Sequence, residues 1–148
     1  MLRILLLFLC IIMPSAAFEK PTLRPEGGEI EWRMVGQRTA IFHDALIEAK
    51  ERKIPIMVFF TCGCETCQGL WGTHFSDPDA VELSDRFIPL YVKGNHDLAR
   101  EYDIAECPYV VFIHPKGDVL RTYKKETLMR WEPADFVKRM KRVLAKAR

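Results

Sequence analysis

The stretch Ile56-Met57-Val58-Phe59-Phe60-Thr61-Cys62-Gly63-Cys64-Glu65-Thr66-Cys67-Gln68-Gly69-Leu70-Trp71 decides how the rest of the chain is read. Ile56 to Phe60 is a continuous apolar run, which suits a central strand buried on both faces. Gln68 to Trp71 begins a helix-like pattern, so Cys64 and Cys67 sit where a buried strand ends and a helix begins. A helix N-terminus presents unpaired N–H groups and about half a positive charge, which stabilises a thiolate. A three-residue offset within a first turn lets the second sulfur reach the first, so a disulfide there opens and closes with little movement. The pattern points to thiol–disulfide exchange at Cys64 and Cys67. The bland alternative, a structural bridge or an accidental pair, is weakened by the strand-to-helix position. Cys64 is expected to be the exposed attacker, and Cys67, one turn in, the thiol that resolves the mixed disulfide.

Upstream, Thr39 to Lys53 reads as a helix with Phe42, Ala45, Leu46 and Ala49 on one face, stopped by Pro55. Downstream, Ser76-Asp77-Pro78 supplies a cap followed by proline at a helix start, continued by Ala80, Val81, Leu83 and Phe87. Ile88 to Val92 is a second apolar strand, and Leu98 to Tyr102 a short helical turn. Tyr109 to Ile113 is a third strand, turned by His114-Pro115-Lys116-Gly117-Asp118 into Val119 to Tyr123. The last helix starts near Glu132-Pro133 and sets Phe136, Val137, Met140, Val143 and Leu144 on one face. Helical crossovers early and a hairpin late predict an α/β fold, a mixed central sheet flanked by helices on both faces.

The 148 residues, 49% of them apolar, suit one domain with its own core. Charge is balanced, 22 Lys+Arg against 20 Asp+Glu, so no nucleic-acid partner is advertised. Met1-Leu2-Arg3, the apolar run Ile4 to Met13, Pro14 and the small residues Ser15-Ala16-Ala17 read as a signal peptide cleaved after Ala17. The run is about half of the roughly 20 residues a membrane span needs, which argues against a retained anchor. Residues 18–36 then read as an irregular lead-in, with Ile30 and Trp32 able to dock on the body, and 37–148 as the domain. The expected location is exported: periplasm, secretory pathway or extracellular space. Of the five cysteines, Cys10 leaves with the signal, which leaves Cys62, Cys64, Cys67 and Cys107 in a disulfide-permissive compartment.

Glu106-Cys107-Pro108, just before the third strand, completes a pattern: an apolar strand ending in aromatics, C-x-x-C, a helix, a strand, and X-Pro opening a hairpin that turns at Gly117. Over nearly the whole mature chain this order resembles the thioredoxin superfamily. Trp32, the Ala45 to Lys53 helix and Phe75-Ser76-Asp77-Pro78 are similar to one branch. That branch holds secreted thioredoxin-like domains related to the DsbD C-terminal domain and the AGR/TXNDC group. The resemblance implies a thioredoxin-like fold in which Pro108 is cis and packs against the disulfide, and Cys107 with Pro108 borders the substrate. It implies a protein-disulfide oxidoreductase, expected as a monomer, with protein dithiol or disulfide substrates, a redox partner protein and no organic cofactor.

The chain also departs from the family. Val58 stands where thioredoxins carry a buried acid, and Gly63 replaces the tryptophan before the first cysteine. Glu65 and Thr66 separate the cysteines, and the Glu65 charge is expected to raise the Cys64 pKa against the helix terminus. Cys107 is expected to face the C-x-x-C. Cys62 is then an auxiliary thiol or a small buried filler, and the extra cysteines are free to form a second pair or pass the disulfide along. Four thiols in one place are also the ligand set of a soft metal, so a thiolate Zn or Cu carrier, or a redox-inert binding module, is the rival reading. An oxidised protein is expected to keep at most two free thiols, drawn from Cys62 and Cys107.

Other candidates are weaker. His43, His74, His96 and His114 have no ligand-like spacing, although His74 is near enough to the site in sequence to approach it. Lys138, Arg139, Lys141, Arg142, Lys146 and Arg148 read as a solvated face at a helix C-terminus.

Overall fold

The apolar run becomes strand β2, Ile56–Thr61, and its residues Ile56 to Phe60 are all buried. A computed structural model describes residues 28–36, 39–94 and 97–148. The expected signal segment, Cys10 and His96 lie outside the described residues. The elements run β1 (Arg33–Val35), α1 (Ala40–Arg52), β2, α2 (Glu65–Thr73), α3 (Pro78–Ser84), β3 (Ile88–Lys93), α4 (Asp97–Glu101), β4 (Tyr109–Ile113), β5 (Val119–Tyr123), α5 (Lys125–Leu128) and α6 (Pro133–Lys146).

The sheet order is β1-β3-β2-β4-β5, with β2 at its centre. Strands β1 and β2 both run parallel to β3, whereas β4 runs antiparallel to β2 and β5 antiparallel to β4. This is the mixed sheet that the sequence predicts. Alternate β2 side chains leave opposite faces of the pleat. Met57 and Phe59 join Val110 and Phe112 under α2, α3 and α6, together with Leu70, Phe136 and Met140. Ile56, Val58 and Phe60 join Val111 and Ile113 under α1 and α4, with Phe42, Ala45, Ala49 and Leu98. Each large apolar side chain so buried contributes on the order of 2 kcal/mol, which is why a five-strand sheet covered on both faces needs no staple to hold its centre.

Local chemistry sets the ends of the helices. Lys53 closes α1 in the left-handed region at φ 56, just before Pro55. The Asp77 side chain caps α3 by accepting from the N–H groups of Asp79 and Ala80, with Pro78 in the first turn. Glu132 and Asp135 form a reciprocal capping box at the start of α6, and the five apolar residues expected on one face of that helix are all buried.

Two short elements were not foreseen. The segment expected to be an irregular lead-in contains strand β1, an edge strand paired to β3 through Arg33 opposite Leu90. Ile30 is buried ahead of it, so the folded body starts before residue 37. Trp32 does dock: its ring lies 5.0 Å from that of Phe75, 5.8 Å from Trp71 and 5.9 Å from Phe59. The other element is α5, a single turn after the hairpin. Among the described residues no helix is long and apolar enough to cross a membrane.

Candidate active site

Strand β2 stops at Thr61, and two residues carry the chain from the sheet to α2. Gly63 makes that turn at φ 75, a left-handed conformation that glycine adopts without a Cβ penalty. Its N–H donates to Thr61 Oγ1 at 3.1 Å, and its carbonyl accepts from Gln68 Nε2 at 3.2 Å. At Gly63, where the resemblance implies tryptophan, this chain turns through a conformation that favours glycine. Cys64 is the N-cap of α2 in extended conformation, and its carbonyl accepts the first helical hydrogen bond from Gln68 N at 3.0 Å.

This placement puts the Cys64 sulfur over the free N–H groups of the first turn. The Cys64 and Cys67 sulfurs lie 3.2 Å apart, both as free thiols. Cys67 is buried against the α2-side core, while Cys64 is half-buried. Hydrogen bonds from the backbone and side chain of Cys67 lower the Cys64 pKa below its ordinary value. The N–H of Thr66 and the positive charge of Lys125 add to this against some desolvation. The sequence reading expected Glu65 to oppose the helix terminus here and left the net direction open; the net direction is downward. Lys125 arrives from α5, an element the sequence reading missed.

Cys107 precedes Pro108 across a cis peptide bond. Strands β2 and β4 pair with Phe60 opposite Tyr109, and two more residues of that register set Cys62 against Cys107. These two form a disulfide with Cα atoms 6.0 Å apart. Cys62 is thus neither a free auxiliary thiol nor a buried filler; it is exposed and bonded. The expected oxidation pattern is reversed in this structure, since the free thiols are Cys64 and Cys67. Cys62 remains close to them, its sulfur 3.9 Å from that of Cys67. The sulfurs of Cys62, Cys64, Cys67 and Cys107 all lie within 4.8 Å of one another, so the sequence-nominated cysteines do converge.

Two grooves of about 400 Å³ lie in this region. One follows the first turns of α2, lined by Glu65, Thr66, Gly69, Leu70 and Met129, among others. The other is lined by Phe60, Ile104, Glu106 and the Cys62–Cys107 pair, among others. No ionisable residue lies on β2, and Val58 is fully buried under α1. His74 is buried, with Nε2 2.9 Å from the Trp131 carbonyl and Nδ1 2.8 Å from Thr73 Oγ1. Burial pushes its pKa down, so a neutral ring donating to Trp131 ties α2 to the start of α6. The basic residues Lys138, Lys141, Arg142, Lys146 and Arg148 are exposed, as expected of a solvated face, but Arg139 lies over the Trp131 ring at 5.3 Å.

A strand-to-helix C-x-x-C beside a cis proline on a mixed sheet defines a thioredoxin-fold protein. The chain belongs to the thioredoxin-like family, whose model matches residues 38–115. Among solved structures, a thioredoxin from Thermus thermophilus is 24% identical, with a TM-score of 0.65 over 81% of this chain and 91% of that one. The DsbH oxidoreductase is 20% identical, with a TM-score of 0.63 over 82% of this chain and 90% of that one. The reduced DsbD C-terminal domain of Neisseria meningitidis is 16% identical, with a TM-score of 0.60 over 74% and 98%. At these identities the likeness establishes the fold alone. No curated protein matches the chain.

Proposed function

We propose that the chain is an exported thiol–disulfide oxidoreductase that exchanges disulfides with protein substrates through Cys64 and Cys67. The observation that carries this reading is the Cys64 sulfur at the α2 N-terminus, 3.2 Å from Cys67 and with a lowered pKa. The Cys64 thiolate attacks a substrate disulfide, forms a mixed disulfide and expels one substrate thiolate. Cys67 then attacks the Cys64 sulfur, closes Cys64–Cys67 and releases the second substrate thiol. Pro108 and Cys107 border the groove in which the substrate strand lies. The reverse sequence oxidises a substrate dithiol, and no organic cofactor enters either direction. A redox partner protein resets the pair, and the working unit is a monomer.

The direction of exchange depends on the reduction potential, of which about 30 mV corresponds to 1.4 kcal/mol. The deciding experiment is insulin reduction by wild-type protein with a measured potential for the Cys64–Cys67 pair. Catalysed reduction supports the reading, and its absence at every potential tested removes it. Export is tested on protein from a secreting host, whose mature N-terminus is expected at Phe18.

One observation favours a second reading. With the Cys62–Cys107 bond reduced, four thiols lie close enough to surround one soft ion. Metal analysis of protein purified under reducing conditions separates a thiolate carrier from the oxidoreductase.

A further inference from the structure

The Cys67 sulfur has two sulfur neighbours, Cys64 at 3.2 Å and Cys62 at 3.9 Å. The first is its partner in the C-x-x-C, and the second is half of a disulfide already formed with Cys107. A bridge that serves only as a staple has no need to touch the working thiol. This one has a sulfur within reach of it, Cys62 in the turn between β2 and α2, and borders a groove. The groove along α2, by contrast, is lined by Glu65 and Thr66 from between the other two cysteines.

We propose that Cys62–Cys107 is a second redox pair, coupled to Cys64–Cys67 through the Cys67 sulfur, so that the chain stores and relays two disulfides. The proposal rests on the oxidoreductase reading and extends it. In the first step deprotonated Cys67 attacks the Cys62 sulfur. The Cys62–Cys67 bond forms, the Cys62–Cys107 bond breaks, and Cys107 leaves as a thiolate that takes up a proton from water. In the second step the Cys64 thiolate attacks the Cys67 sulfur. The Cys64–Cys67 bond forms, Cys62 leaves as a thiolate, and it is protonated in turn. Two thiols have been oxidised and two sulfurs reduced, with no external oxidant. Read forward, electrons received at Cys64–Cys67 pass to Cys62–Cys107; read backward, an oxidised second pair recharges the first. Buried Cys67 is the link, since its sulfur lies 3.2 Å from its own partner Cys64 and 3.9 Å from Cys62 of the second pair.

The test brings full-length protein to its two-electron state from both sides. One equivalent of dithiothreitol is added to the fully oxidised form, and one equivalent of diamide to the fully reduced form. Acid quenching, alkylation and peptide mapping then report which cysteines are linked. The relay predicts one common mixture of Cys62–Cys107 and Cys64–Cys67 species from both sides, reached at a rate independent of protein concentration. It also predicts that Cys64→Ser, lacking the second nucleophile, yields chains linked Cys62–Cys67 with Cys107 alkylated. Mixtures that keep a memory of the starting state, or Cys64→Ser chains in which Cys67 is never linked, overturn it. Insulin reduction by the wild type is read alongside. Reduction without convergence overturns the relay and leaves the oxidoreductase; convergence without reduction supports the relay and overturns the proposed function.

Discussion

Cys62 and Cys107 face each other on the continuation of the β2–β4 register, 45 residues apart in sequence and 6.0 Å apart at Cα. A bridge at this place joins the turn before α2 to the segment before the cis proline, the two pieces of backbone between which the working sulfurs lie. Closing a loop of that length removes freedom from the unfolded chain, worth about 2–4 kcal/mol in the entropy account. The double variant Cys62→Ala/Cys107→Ala is expected to unfold in urea with stability lower by about that amount. A change smaller than about 0.5 kcal/mol, the usual size of a surface substitution, means that the bridge contributes nothing to stability.

The proposed roles of Cys64 and Cys67 make an asymmetric prediction. Cys67→Ser removes the resolving sulfur 3.2 Å from Cys64 and is expected to accumulate mixed disulfides through Cys64. Cys64→Ser is expected to accumulate none and to lose insulin reduction. Mixed disulfides are counted by mass spectrometry after acid quenching. Equal trapping by the two variants contradicts the assignment of attacker and resolver.

Lys125 is the charge on α5 that helps hold Cys64 below its ordinary thiol pKa. Its effect comes after that of the Cys67 and Thr66 hydrogen bonds, so removal should weaken the depression without abolishing it. In Lys125→Gln the pH profile of Cys64 alkylation is expected to move upward, with slower labelling near neutral pH. Insulin reduction near neutral pH should slow in the same direction. An unmoved profile assigns the whole depression to the Cys67 and Thr66 hydrogen bonds.

The core and the thiol pair were legible in the sequence because their signals are local. Five consecutive apolar residues before the cysteines, a proline-started helix at Pro78 and a one-faced helix at 133–146 each specify an element within a short window. The missed elements are too short to show a period. Strand β1 has three residues, of which only Val35 is buried, and α5 has four, of which only Leu128 is buried. The pairing of Cys62 with Cys107 was left open for a different reason. It follows from the register of β2 against β4, which depends on the whole sheet and is not written at either cysteine. The same nonlocality left the electrostatics incomplete: Glu65 is adjacent in sequence, whereas Lys125 reaches Cys64 only through the fold.

An ion network joins the edge strand β1 to α1 and is expected to give stability a pH dependence. Glu48 on α1 accepts from both guanidinium nitrogens of Arg33 on β1, one of them at 3.1 Å, and also from Arg52 one turn on. The Arg33 hydrogen bond is the main reason that its carboxyl is lowered from 4.5 to about 2, with Arg52 adding to it. A carboxylate whose folded pKa lies below its unfolded value binds fewer protons when folded. Its contribution is therefore complete above about pH 4.5 and is lost as pH falls toward 2. Arg33 and Arg52 are each about half exposed, with side-chain accessibilities of 48% and 49%, so water screens the pairs. The network is worth about 1 kcal/mol, well below what the shift alone implies. Glu48→Gln is expected to lower stability by about that much near neutral pH, and by progressively less below pH 4.5. Urea titrations of both proteins across that range measure it. A difference that stays constant with pH assigns the effect to packing of the side chain and not to its charge.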